Sequence, residues 1–178
     1  MITEFDVKLG NFINLVNGWI LGSISETYRA TKNFENNSTP LVAFILVSTT
    51  IDFFAGFFAG ISDLDNRQAS QIYKEFVRRY MPNYDPEHLY KDLRCRLAHN
   101  FTIGSYYALI HKRYDLHGKV ISQTGQKIIN FENFYEDFEN AIKKYVSDLE
   151  TDNDLKNKFL TRYQLGIPAV FQIKAEAP

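Results

Sequence analysis

The sequence predicts a mainly α fold, a helical bundle of four to five helices with a small β-hairpin inserted before the penultimate helix. Three observations carry this. Apolar residues recur at three- and four-residue steps along several long stretches, each bounded by polar or Pro-containing breaks. Residues 105–131 alone depart from that period and are rich in β-formers. Apolar residues make up 45% of the 178 and aromatics 15%, enough for one large core of packed rings.

The first helix is expected over 5–28, where Phe5, Leu9, Phe12, Ile13, Val16, Ile20 and Ile24 form one stripe. Asn33 to Pro40 is a polar loop whose final Pro suits a helix start. A second helix, about 40–60, is apolar on nearly all sides, the pattern of a bundle's central helix. Leu41 to Ile61 is also long enough to span a bilayer. Its only charge is Asp52, which would cost about 2.5–3.5 kcal/mol at a membrane centre. No basic cluster flanks the stretch to orient it, so a core helix without a membrane is expected. After a loop at 62–66 comes a third helix, about 67–80, with Ile72, Phe76, Val77 and Tyr80 inward. Met81 to Pro86 breaks it; Asp85 suits an N-cap and Pro86 the first helical position. The fourth helix runs from 86 to about 99, Asn100 is its stop, and Gly104 marks the exit. A β-hairpin or small meander at about 105–130 has Gly118 and Gly125 at its turns. Phe131, Phe134, Phe138, Ile142, Tyr145 and Leu149 stripe a fifth helix over 131–150, and a last helix spans 152–164. Residues 1–165 read as one domain and 166–178 as an extended tail.

The net charge of −1 gives no global signal for nucleic acid or membrane. Locally the chain is uneven: residues 67–113 carry nine basic and four acidic groups, whereas both flanking parts are acidic. That basic third is either an ordinary solvated surface or an anion-binding patch. Cys95 is the only cysteine, so no intrachain disulfide forms. With no secretory signal at the N-terminus, a cytoplasmic location is expected. The four histidines lack the close paired spacing of a zinc site, and no Gly-rich phosphate loop or nucleophile elbow is present. No cofactor or metal is expected.

The chemistry concentrates in Leu89-Tyr-Lys-Asp-Leu-Arg-Cys-Arg-Leu-Ala-His-Asn-Phe101. Arg94 can take a phosphate bidentately, and His99 can move a proton near neutral pH. At a helix C-terminus the dipole favours the protonated imidazole. Metal-free RNA cleavage needs these functions: a base for the 2′-hydroxyl, an acid for the leaving 5′-oxygen and a cation for the phosphorane. Arg96 could add a phosphate contact. On an ideal helix Arg94 and His99 point about 140° apart, at about 100° per residue. Either the helix unwinds before His99, or a second copy completes the site. Asp52, a lone carboxylate in an apolar helix, needs a partner. It either orients Arg94 or His99 or makes a purely structural bond.

Arg94-Cys-Arg-Leu-Ala-His99, preceded by Tyr90 and Leu93 and followed by Asn100, resembles the HEPN superfamily. The resemblance implies a bundle of four or five helices, and in many members a metal-independent ribonuclease, several of them toxins or defence effectors. It also implies a homodimer whose two motif helices share the site, with Arg94 and His99 catalytic; Asp52, Arg96 and Asn100 are candidate supporting residues read from their positions in this chain. Two positions depart from the family pattern. Cys95 stands where catalytic members often carry a polar residue after the Arg. Phe101 stands where a nucleotidyltransferase-paired subfamily has a Tyr. The expected function is a HEPN-like endoribonuclease with RNA and a cognate protein as partners. The alternative is a non-catalytic HEPN-like module that binds RNA or protein.

Overall fold

A computed structural model describes residues 2–31, 40–61 and 66–165. The expected loops at 33–39 and 62–65 and the tail at 166–178 lie outside the described residues. The chain is mainly helical with a small two-stranded sheet.

The N-terminal helix is continuous but not uniform: α1 (Glu4–Leu15), a π-helical stretch (Val16–Leu21) and α2 (Gly22–Thr31). Thr3 opens it with a capping box, accepting from the Asp6 amide while Asp6 accepts from the Thr3 amide. Next come α3 (Leu41–Ala59), which ends at a left-handed Gly60, and α4 (Asn66–Tyr80). Asp85 caps the one-turn α5 (Pro86–His88), accepting from the His88 amide. A second π-helical stretch (Leu89–Cys95) and α6 (Arg96–Asn100) continue it without a break. Together these three pieces form the motif helix. Two long helices close the fold, α7 (Phe131–Thr151) and α8 (Asn153–Gln164).

The core is built around α3. Phe44, Val47, Ile51, Phe54 and Phe57 are completely buried, and α3 packs against α4, α8 and the motif helix. The ring of Phe54 lies edge-on to Phe12, Phe138 and Tyr145. By length and composition α3 could cross a membrane, but half of its most apolar window is buried inside the protein. Its hydroxyls are satisfied internally: Ser48 and Thr49 donate to the Ile45 carbonyl, and Thr50 to that of Leu46. Asp52 is therefore its one ionisable group.

The β-hairpin expected at 105–130 is corrected by the sheet. β1 (Tyr107–Ile110) and β2 (Lys127–Asn130) run parallel, Tyr107 beside Lys127 and Ile110 beside Asn130. Residues 111–126 connect them, long enough for the crossover that parallel strands need. Within it, residues 118–121 fold back antiparallel on the other edge of β2: the Gly118 amide donates to the Ile128 carbonyl at 2.8 Å, and the Ile128 amide to that of Lys119 at 2.8 Å. A tight return thus exists between 118 and 128, but its outer arm is not β1. Left-handed backbone at Lys112, Gly118 and Gly125 makes the reversals.

Candidate functional site

The motif helix presents two polar faces. On the inner face Arg94 reaches α3, where its Nε donates to Asp52 Oδ2 at 2.5 Å. Both side chains are only about a fifth exposed. Arg94 also lies over the Tyr90 ring, 5.7 Å from its centroid, and its Nη1 contacts Cys95 Sγ at 3.8 Å. Burial pushes the Asp52 carboxyl up and the Arg94 guanidinium opposes it. At Arg94 burial works against the charge, and the Asp52 carboxylate together with Cys95 outweighs it and raises the pKa. The partner that Asp52 required is therefore Arg94.

His99 lies elsewhere. It is exposed in the last turn of α6, and among the described residues no hydrogen bond or ion pair holds it. The helix does not unwind before it: α6 continues to Asn100 and ends at Phe101, in left-handed backbone at φ 53°. Arg94 and His99 are not bonded to each other within the chain. Asn100 is exposed at the helix end. Arg96 is half-exposed, and its Nε lies 3.8 Å from Asp92 Oδ1 rather than near Arg94.

Asp92 belongs to a second face that the sequence reading passed over. It is only 7% exposed. Its Oδ2 lies 2.6 Å from His88 Nδ1. His88 in turn stacks flat on Tyr106, centroids 3.7 Å apart and planes within 1°. Gly104 packs directly on Asp92: its amide donates to the Asp92 carbonyl at 2.8 Å, and a Cβ at 104 would lie 2.2 Å from Asp92 Cγ. The signal was present in the i, i+4, i+8 spacing of His88, Asp92 and Arg96, which places them on one face.

The third polar cluster flanks a cavity of about 400 Å³ beside the sheet, bordered by Tyr84, His117, Lys127, Asn133 and Asp137. Tyr84 donates to Asp137 at 2.8 Å, and His117 Nε2 lies 3.3 Å from the Tyr84 hydroxyl. His117 Nδ1 accepts from the Asn130 amide at 3.1 Å. Burial holds its pKa below the usual imidazole value; Asp137 opposes this and Lys127 reinforces it. Among the described residues no group of three His, Cys, Asp or Glu side chains could hold a metal ion.

Compared with known proteins, the chain matches no protein-family model, no curated protein and no solved structure.

Proposed function

We propose that this protein is a HEPN-like, metal-independent endoribonuclease whose Arg94 and His99 act at a site shared between two copies of the chain. The arrangement of the motif helix carries the proposal: Asp52 holds Arg94 by Nε, no hydrogen bond among the described residues holds Nη2, and His99 stands exposed three residues after Arg96. A guanidinium fixed at one edge and open at another is suited to bind a phosphate. Because the helix continues without a break through His99, unwinding does not supply the missing geometry. A second motif helix across a two-fold axis would. In this scheme Arg94 neutralises the phosphorane, His99 transfers a proton, Asp52 positions Arg94, and Arg96 and Asn100 border the RNA. A cytoplasmic toxin or defence role, with a cognate partner protein, follows from the resemblance of the motif.

The test is single-turnover cleavage of RNA in EDTA by the native chain, Arg94→Ala and His99→Ala, with dimerisation followed by light scattering at micromolar concentration. Loss of about 100-fold or more in both variants, each still folded, is the expected result. A monomeric native protein, or cleavage that survives both substitutions, would refute it. A second reading is favoured by the Asp52–Arg94 pair itself, since a guanidinium already neutralised inside the protein can serve structure alone. With Cys95 after Arg94, this describes a non-catalytic RNA- or protein-binding module. It predicts no cleavage, and for RNA a binding constant that falls steeply with salt.

A further inference from the structure

We infer that His88, oriented by Asp92 and flanked by Arg96, is a proton-transfer site for an RNA phosphodiester on the exposed face of the motif helix. This rests on the ribonuclease reading and adds a base outside the Arg94–His99 motif.

The tautomer follows from the partner. An ionised carboxylate only accepts, so His88 Nδ1 donates to Asp92 Oδ2. The neutral ring then carries its lone pair on Nε2, and no described residue bonds that atom. The His88 side chain is 39% exposed, so Nε2 can reach solvent and substrate. Carboxylate–imidazole pairs of this kind fix both the tautomer and the orientation of a general base.

The ring is fixed by more than one contact. The Tyr106 stack sets its plane. Tyr106 is itself anchored, edge-on to the buried Tyr107 at 4.8 Å and with its carbonyl accepting from the Lys127 amide at 2.8 Å. The sheet thus holds one side of the imidazole and Asp92 the other. Asp92 cannot swing, because Gly104 closes over it. An ordinary exposed i, i+4 pair needs neither a buried carboxylate nor a glycine packed on it, and contributes little.

Arg96 completes the site. Its Nε approaches the same Asp92 carboxylate, its side chain is 49% exposed, and among the described residues nothing bonds its outer nitrogens, which can take phosphate oxygens. His99 stands eleven residues, about three turns, further along the helix, too far to share one phosphate with His88 in the same chain.

The step balances without a metal. His88 Nε2 takes the proton of the ribose 2′-hydroxyl as that oxygen bonds to the adjacent phosphorus. The P–O5′ bond breaks, and the departing 5′-oxygen takes a proton from the His99 imidazolium of a second copy. The His88 imidazolium then releases its proton to solvent and His99 takes one up, leaving a 2′,3′-cyclic phosphate and a 5′-hydroxyl. A deoxyribose strand lacks the nucleophile and is not cut.

Two measurements test this. Ring ¹⁵N spectra of the full chain should show His88 with the proton on Nδ1, and Asp92→Asn should abolish that preference. Inorganic phosphate should shift the Nε2 signal, and Arg96→Gln should suppress the shift. A proton on Nε2, or no response to phosphate, overturns the site whatever the cleavage assay gives. In the EDTA assay, His88→Ala should lose about 100-fold or more, and free imidazole should restore part of it. A merely structural role would not be rescued. If the native chain cuts RNA and His88→Ala cuts within threefold of it, the site is wrong and the ribonuclease reading survives. If the native chain cuts nothing, the ribonuclease reading and the catalytic role of His88 fall together.

Discussion

Gly104→Ala isolates the contact on which the His88 face depends. The added methyl carbon would sit 2.2 Å from Asp92 Cγ and Oδ1 and 2.4 Å from Asp92 Cβ. The backbone at 104 lies outside the left-handed region, so alanine meets no conformational strain and the effect is steric. Two responses are open. If the loop retreats, it loses the 2.8 Å bond from the Gly104 amide to the Asp92 carbonyl. If Asp92 turns away, it loses His88 at 2.6 Å. Overpacking of a closed site costs about 1–3 kcal/mol. Alanine returns about 0.4–1 kcal/mol by restricting the unfolded chain. The net destabilisation is therefore about 1–2 kcal/mol. For a domain of this length that lowers Tm by about 2–8 °C. Urea and thermal melts of both proteins measure it, with the His88 ring signals as a local reporter. Unchanged stability together with an unchanged His88 signal would refute the idea that Gly104 holds Asp92 in place.

Phe54→Ala should cost about 3–5 kcal/mol, because the ring is completely buried among other rings, whereas Val42→Ala on the exposed side of α3 should stay within about 0.5 kcal/mol; urea melts giving similar losses would contradict the placement of α3. Asp52→Ala strands the Arg94 charge and should cost about 1–3 kcal/mol, below the fully buried range because both partners keep some exposure. Asp52→Asn retains an acceptor for Nε and should cost less, so denaturation giving the reverse order would exclude the pairing. His117 has a depressed pKa, so its stability contribution is full above about pH 6.5 and is lost as pH falls through the folded value. His117→Gln should therefore flatten the loss of Tm on acidification below that pH, and an unchanged slope would count against it. His99→Ala should leave stability within about 0.5 kcal/mol, whereas Arg94→Ala should destabilise measurably by leaving Asp52 unpaired; equal melting of the two would mean that the inner and outer faces are not distinct.

The long helices were legible because their apolar period and their stops are local. The expected 131–150 and 152–164 agree closely with Phe131–Thr151 and Asn153–Gln164. The need of Asp52 for a partner was legible too, from one carboxylate in an otherwise apolar helix, and Arg94 was among the partners considered. The sheet was harder. β-formers and turn glycines mark a reversal near Gly118 and Gly125, but strand pairing is long-range, and β1 could join β2 on either edge and in either direction. The π-helical stretch at Leu89–Cys95 leaves no periodic trace over so few residues.

The His88 face was hidden for a related reason. Sequence spacing aligns His88, Asp92 and Arg96, yet such an alignment on a solvated helix usually means little. What distinguishes it is burial of Asp92 by a loop that returns only at Gly104, and a stack on Tyr106 that depends on the parallel sheet. The sheet and the motif helix are thus parts of one arrangement. The same two strands that anchor Tyr106 against the imidazole also bury Tyr107 and Ile129 in the core. A second chain docking on this outer face would meet His88, Arg96 and His99 directly, and Arg94 only along the edge that Asp52 leaves open.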